Sequence, residues 1–583
     1  LIAIAMSEIQ KAVLPLMPGL KRLLSYQQTW WQKDVLAGVT VAAYLIPQCM
    51  AYGELAGVEP VRGLWAILPP MAIYALLGSS PQLSVGPEST TAVMTAAAIA
   101  PLAAADGSNY ASLASLLALI VGLTCVVGYV ARLGFLAELL SKPILIGYMA
   151  GVALIMIVGQ LGKIGGIAIE ANTVFGTAIE FWQKLDRIHL PTLILAVLVL
   201  VFLLAIQRCF PTAPGPLLAV LLSTVAVAIF HLDRQGVAVV GAIEAGLPHL
   251  GLPGISVRQT LPLVASAIGI AIVGYSDNVL TARAFATRNH YKIDANQELL
   301  ALGVANLGNG LMQGFPVSSS GSRTAIGNLL GSKTQAFSLV ALVAVVAVLL
   351  FLRPLLALFP KAALGAIVIF AAMKLIEIPE FLRLLRFRRS EFVLAAIATV
   401  GVLVTDILIG VAIAVGLSAL DLLARVARPH DAVLGEVPGV PGLHDIEDWE
   451  GAKTIPGLVI YRYDAPLCFA NAENFKRRSL EAIEAETTPV EWFVLDAEAI
   501  GELDVTAADI LEELHDELAA RGITLAMARV KQDLLVQLKR SRLLEKIGAK
   551  QIYFTLHTAI AGFQTRARDS RDPTGGSRDK AEI

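Results

Sequence analysis

Between residues 36 and 424 long apolar runs alternate with short polar breaks. Many runs are about 17–22 residues long, enough for a helix to cross roughly 30 Å of hydrocarbon. The pattern predicts spans near 36–54, 63–79, 87–105, 111–131, 140–161, 189–207, 216–231, 262–282, 295–312, 322–332, 335–352, 361–376, 390–406 and 408–424, about fourteen in all. The run at 322–332 is short and rich in Ser and Gly. Past Arg428 the pattern changes. Pro429 to Pro456 is dense in Pro, Gly and acids and reads as a linker. Short apolar runs then alternate with charged stretches. Strands are expected at 457–463, 466–470, 490–496, 522–528 and 551–554, and helices at 472–486, 505–520, 532–547 and 556–565. Such alternation predicts a small α/β domain. The expected organisation is a cytoplasmic N-terminal segment (1–34), a transmembrane domain (35–428), a linker (429–455), the α/β domain (456–565) and a disordered polar tail (566–583).

Composition sharpens this picture. Hydrophobic residues make up 56% of the chain and charged ones 16%, whereas soluble domains run nearer a quarter charged. The net charge of −2 leaves no basic footprint for nucleic acid. The four cysteines are scattered without CxxC spacing, so neither a disulfide frame nor a zinc site is expected. The chain has no GxxxxGK[ST] loop, no HExxH and no convincing triad, so an enzyme is not expected. Basic residues gather in alternate loops, including Arg283, Arg288 and Lys292, and the cluster Arg383, Arg386, Arg388 and Arg389. That asymmetry favours a multi-pass protein of the cell membrane with both termini on the cytoplasmic side.

Polar residues within the apolar region carry the chemistry, because burying a charge in lipid costs at least ~2.5 kcal/mol on insertion scales. Gln48 and Tyr52 lie four apart on a helix that Pro47 loosens, so both can face one cavity or bond to a neighbouring helix. Val85, Gly86, Pro87, Glu88 and Ser89 form a helix start, where free N–H groups and the positive dipole end suit an anion. Ser320, Gly321, Ser322 and Arg323 open the short tenth span in the same way, and the forked Arg323 donors suit an oxyanion. Asp277 lies within the eighth span with Thr281 one turn on. The pair suits Na⁺ or a proton, or Asp277 is a structural partner for Arg283 or Arg323. Two interrupted helices seven spans apart point to inverted repeats with a binding site between them.

These residues sit in IPQCMAYGELAGV (46–58), QLSVGPESTTAVMTA (82–96) and NQELLALGVANLGNGLMQGFPVSSSGSRTA (296–325). On those motifs the chain resembles the sulfate permease (SulP) family, to which animal anion exchangers also belong. The resemblance implies the uracil-permease type of fold: two intertwined seven-span repeats forming a core and a gate domain, in a homodimer. It implies an anion held between the two half-helix starts, with first-span side chains closing the pocket. Asp277 and Thr281 match the Asp-x-x-x-Thr pattern of a sodium-coupled bicarbonate branch; separately, Na⁺ is a hard ion that would accept a further oxygen from the Ser/Gly-rich 318–322 stretch, at Ser320. No cofactor is implied besides Na⁺ as a coupling ion. The C-terminal region resembles a STAS domain, a module open to a cytoplasmic regulator. Val505 stands where related anti-sigma-factor antagonists carry a phosphorylated serine, and Thr506 is expected to cap the helix there. Coupled transport of a small inorganic oxyanion is the leading expectation, with sulfate first. Bicarbonate/Na⁺ symport and C4-dicarboxylate transport are the alternatives. A passive channel or a STAS-linked sensor would be a different class.

Overall fold

The computed structural model describes residues 16–106, 109–138, 142–171, 173–211, 213–243, 246–253, 257–405 and 407–571. The first 15 residues of the expected N-terminal segment and residues 572–583 of the expected tail lie outside them. The chain forms two compact units that meet between Ser418 and Ala419.

In the first unit all the predicted runs are helical, from Trp31–Leu55 to Ile407–Ala427. Among the described residues seven helices are long and apolar enough to cross a membrane, and three shorter ones are also apolar. Outward-facing side chains on these helices are often large and apolar, as with Ile194, Leu198 and Val201 on Leu190–Cys209. That surface suits lipid as its solvent. Pro47 sits inside Trp31–Leu55 without ending it. The second run is split into Pro60–Trp65 and Leu68–Leu77. Two helices too short and polar to be predicted as spans appear between others, Val174–Gln183 and Ile378–Phe387.

Packing repeats with an offset of seven spans. The first span packs on the eleventh and tenth, and the eighth packs on the fourth and third. The sixth packs on the twelfth, as the thirteenth does on the fifth. Each of these pairs joins one half of the region to the other. The two halves are therefore interleaved, and neither could bury its apolar surface alone. At the centre a two-residue strand from each half pairs antiparallel, Val85 opposite Ser319 and Gly86 opposite Ser318. Ser320 N–H donates to Ser84 O at 2.9 Å, extending the ladder.

The second unit holds a six-stranded sheet. In spatial order its strands are Val440–Asp445, Asp431–Val437, Leu458–Tyr463, Trp492–Asp496, Thr524–Ala528 and Ile552–Tyr553. The last four are mutually parallel; the second joins them antiparallel, and the first pairs antiparallel with the second. Period-two alternation puts Val459, Tyr461, Phe493, Leu495 and Leu525 under the helices Ala472–Glu484, Val505–Ala520 and Gln532–Arg540. Leu458, Ile460, Trp492 and Val494 face Leu556–Arg571.

Five expectations need correction. Residues 429–455 are not a linker: they carry the first two strands of the sheet, with Ala432 and Leu434 buried against it. A hairpin turn at Gly439, where φ is +82°, needs the same Pro/Gly chemistry as a linker. The run 466–470 forms only an isolated bridge from Leu467 to Leu503. The helix at 532–547 breaks after Arg540, because Arg542 adopts a left-handed φ of 63°. Asp504, not Thr506, caps Val505–Ala520: its carboxylate accepts from Ala507 N–H at 2.8 Å. The last helix also runs past 565 to Arg571, into the stretch expected to be a disordered tail.

Candidate anion site

The central strand pair turns two chain segments into facing helix starts. From it Ser89–Asp106 and Gly321–Leu329 set out, each presenting free backbone N–H groups at its beginning. Thr324 Oγ1 ties the breaks together, donating to Ser320 O at 2.8 Å and accepting from Ser84 N–H at 3.0 Å. Asn306 donates to Val317 O at 3.1 Å and accepts from Val317 N–H at 2.9 Å, so the ninth span holds the approach to the second break.

Beside these starts lies a cavity of about 350 Å³. Gln48, Tyr52, Glu88, Ser89, Asp277, Thr281, Ser320, Gly321 and Ser322 all line it. Folding thus brings residues of the first, third, eighth and tenth spans to one wall. Gln48 Nε2 donates to Tyr52 Oη at 2.9 Å. Glu88 turns back on its own helix, accepting from Ser89 Oγ at 2.5 Å and Thr90 N–H at 2.7 Å. Asp277 accepts from Ser319 Oγ at 3.2 Å. Ser320 and Ser322 share a hydroxyl contact of 3.2 Å.

Val85, Gly86, Pro87 and Arg323 are not on the cavity wall. The first three are spent on the strand pair and the entry to the helix. Arg323 is fully buried behind them. Its Nε donates to Ser84 Oγ at 3.3 Å, and its Nη1 to Pro87 O at 2.7 Å and Gln48 Oε1 at 3.4 Å. Nη2 is buried without a partner. A Cβ added at Gly86 would come within 3.4 Å of it. The guanidinium therefore braces the two breaks and adds positive potential from behind, rather than gripping a ligand with both arms. These bonds also place its partners away from Asp277.

Sequence reasoning missed part of the wall: Tyr44, Pro216, Phe370, Lys374 and Glu377. Lys374 lies over the Phe370 ring at 4.3 Å from its centroid. A lysine and a glutamate closing the twelfth span were a signal, but they read as ordinary span-end residues. Asp277, Glu88 and Glu377 thus face the cavity against the single ammonium of Lys374, with Arg323 set behind. The oxygen-only set of Asp277, Thr281, Ser319 and Ser320 suits a hard cation such as Na⁺. At the end of the first span Glu54 pairs with Lys163 at 3.2 Å. By the parity of the spans, that pair and Glu377 lie at opposite ends of the helical region.

Interleaved halves, with a ligand-sized cavity at their broken helices, define a multi-span membrane carrier. The sulfate permease family model matches residues 31–398 and the STAS domain model residues 451–559. The "Probable sulfate transporter" of Mycobacterium tuberculosis is 55% identical over 549 residues, covering 94% of this chain and 98% of that one. The chloroplastic sulfate transporter 4.1 of Arabidopsis thaliana is 31% identical over 567 residues, covering 94% and 82%. Among solved structures, the murine Solute Carrier 26 family member A9 anion transporter in the inward-facing state superposes with a TM-score of 0.87 at 22% identity, covering 95% of each chain. The transmembrane domain of the cyanobacterial bicarbonate transporter BicA gives 0.60 at 24% identity, covering 68% of this chain and 98% of that one. The chain belongs to the sulfate permease family and carries a STAS domain.

Proposed function

We propose that this protein is a secondary active transporter of sulfate, coupled to Na⁺ or to protons. The observation that carries the reading is the cavity wall itself. The Gly321 helix start and the Ser320 and Ser322 hydroxyls offer donors to an oxyanion, while Asp277 and Glu88 stand on the same wall. A dianion entering beside two carboxylates meets repulsion unless a positive charge enters with it. A cation held by Asp277, Thr281 and Ser320, or a proton on Asp277, removes that penalty. Anion and cation then load together, which is the condition for symport. A passive channel would need no acid here. The relatives described as sulfate transporters support sulfate over bicarbonate.

Both termini face the cytoplasm in this reading, as the basic loops favour, and two chains form a homodimer. The STAS domain offers a cytoplasmic regulator its surface, with Phe469 and Val505 exposed beside the Asp504 cap. The test is uptake into proteoliposomes of labelled sulfate, bicarbonate, succinate and chloride, each with a Na⁺ gradient, a pH gradient or neither. Sulfate accumulation under one gradient is expected. Preference for another anion would replace the substrate, and equal flux without any gradient would replace the mechanism with a channel.

A further inference from the structure

We propose that the helix Ile378–Phe387 lies in the membrane surface and binds the headgroups of anionic lipids. Its position is forced by covalent connection. Two residues separate it from the end of Lys361–Leu375, and one, Arg388, from the start of Arg389–Val404. Both neighbours belong to the membrane region, so the short helix has no slack with which to leave the boundary.

Its faces divide the work in three. One face packs on protein: Leu384 is buried with Ile146 and Ala395, and Phe381 meets the Phe392 ring at 6.4 Å between centroids. The next face carries Ile378, Leu382 and Leu385, spaced i, i+4 and i+7, and all three are exposed. A stripe of aliphatic residues at that spacing, next to a face already packed, fits acyl chains. The third face and the helix end are basic. Between Ile378 and Arg389 four arginines stand against one glutamate. That glutamate, Glu380, is met by Lys142 at 2.7 Å and Arg383 at 3.5 Å. Arg386, Arg388 and Arg389 are exposed and have no carboxylate in ion-pair reach among the described residues.

Charge and hydrophobicity together select the occupant. A soluble protein partner would have no use for the aliphatic stripe at membrane depth, and a free anion would have no use for it either. A lipid with a phosphate and a net negative charge, such as a phosphatidylglycerol, satisfies both faces at once. Each arginine that reaches an anionic surface is worth roughly fivefold in partition, and its planar fork suits phosphate oxygens better than an ammonium.

The full-length protein reconstituted in phosphatidylcholine with a trace of spin-labelled phosphatidylglycerol or spin-labelled phosphatidylcholine provides the test. The motionally restricted fraction of each probe gives the selectivity ratio. Wild type is expected to favour the anionic probe severalfold at low salt. The R386Q/R388Q/R389Q variant is expected to bring the ratio close to one. The triple lysine variant, which keeps the charge and controls for folding, should retain most of the selectivity. A wild-type ratio near one overturns the proposal, as does a glutamine variant that keeps the full ratio. Inorganic phosphate added at millimolar concentration should leave the ratio unchanged. If it abolishes selectivity, the site is for a soluble phosphate and the lipid proposal fails. If the glutamine variant keeps its selectivity but exposes the STAS domain to protease, the arginines face protein and the proposal fails.

Discussion

The third-span and tenth-span helix starts share one strand pair and one cavity, yet their chemistry differs. The third-span start carries its own anion. Glu88 folds back onto Ser89 and Thr90 and neutralises the dipole end it sits on. The tenth-span start has no such occupant. Ser320 caps it through a long 3.5 Å contact to Arg323 N–H, and a Cβ added at Gly321 would meet nothing within 4 Å. Arg323 then directs its charge from this helix across to the third-span side, at Ser84 and Pro87. The repeat has duplicated the backbone but not the side chains. Duplicated backbone supplies two dipole ends, and unlike side chains make one of them self-satisfied and the other available. The anion is expected to sit closer to Gly321 than to Ser89.

The largest expected effect comes from the acid that stands between the two starts. Asp277→Asn removes the carboxylate that a cation or proton would neutralise, while its amide can still meet Ser319. Concentrative uptake should be abolished, with insertion and dimerisation intact. Wild-type uptake should follow a Na⁺ or a proton gradient and the variant neither. Full-strength accumulation in the variant would make Asp277 structural.

Next comes the brace. Arg323→Ala leaves Ser84, Gln48 and the Pro87 carbonyl without their donor. Each charged hydrogen bond is worth about 1.5–3 kcal/mol, so thermal stability should drop, and anion affinity should weaken as the two breaks relax and the positive potential behind them is lost. Arg323→Lys should fall between, since it keeps the charge and loses the fork. Unchanged affinity in folded Arg323→Ala would mean that the brace does not shape the site.

The smallest effects sharpen the asymmetry directly. Glu88→Gln frees the third-span start and removes a repelling charge. Charges at helix termini are worth about 0.3–1 kcal/mol, so affinity should tighten about two- to fivefold. Gly321→Ala puts a methyl group into open space, so the protein should fold normally while affinity falls severalfold. Competition binding with labelled sulfate reads both. Shifts of the same sign would show the two starts to be equivalent.

Much of this was legible in the chain. Apolar runs of membrane length located the spanning helices of the first unit, since lipid demands continuous apolar helices and a run of that length has few other readings. Breaks rich in Gly, Pro and Ser located the two helix starts. The strands at 431–445 were not legible, because a hairpin turn and a linker share Pro and Gly, and only pairing with Leu458–Tyr463 distinguishes them. The helix Ile378–Phe387 was not expected because its arginines dilute the apolar stripe below any span criterion.

The site divides along the same physical line. Sequence by itself determined which residues could carry chemistry: Gln48, Tyr52, Glu88, Asp277 and the Ser320–Arg323 run are polar groups that lipid would reject unless they had partners or a cavity. Only the tertiary structure decided what each one does. Arg323 looked like a ligand arm and is a buried brace, while Lys374 looked like a span end and lines the cavity. The reason is that local sequence sets the cost of burying a group, but its partners come from segments up to hundreds of residues away. Gln48, Ser84 and Arg323 meet only because the two halves interleave.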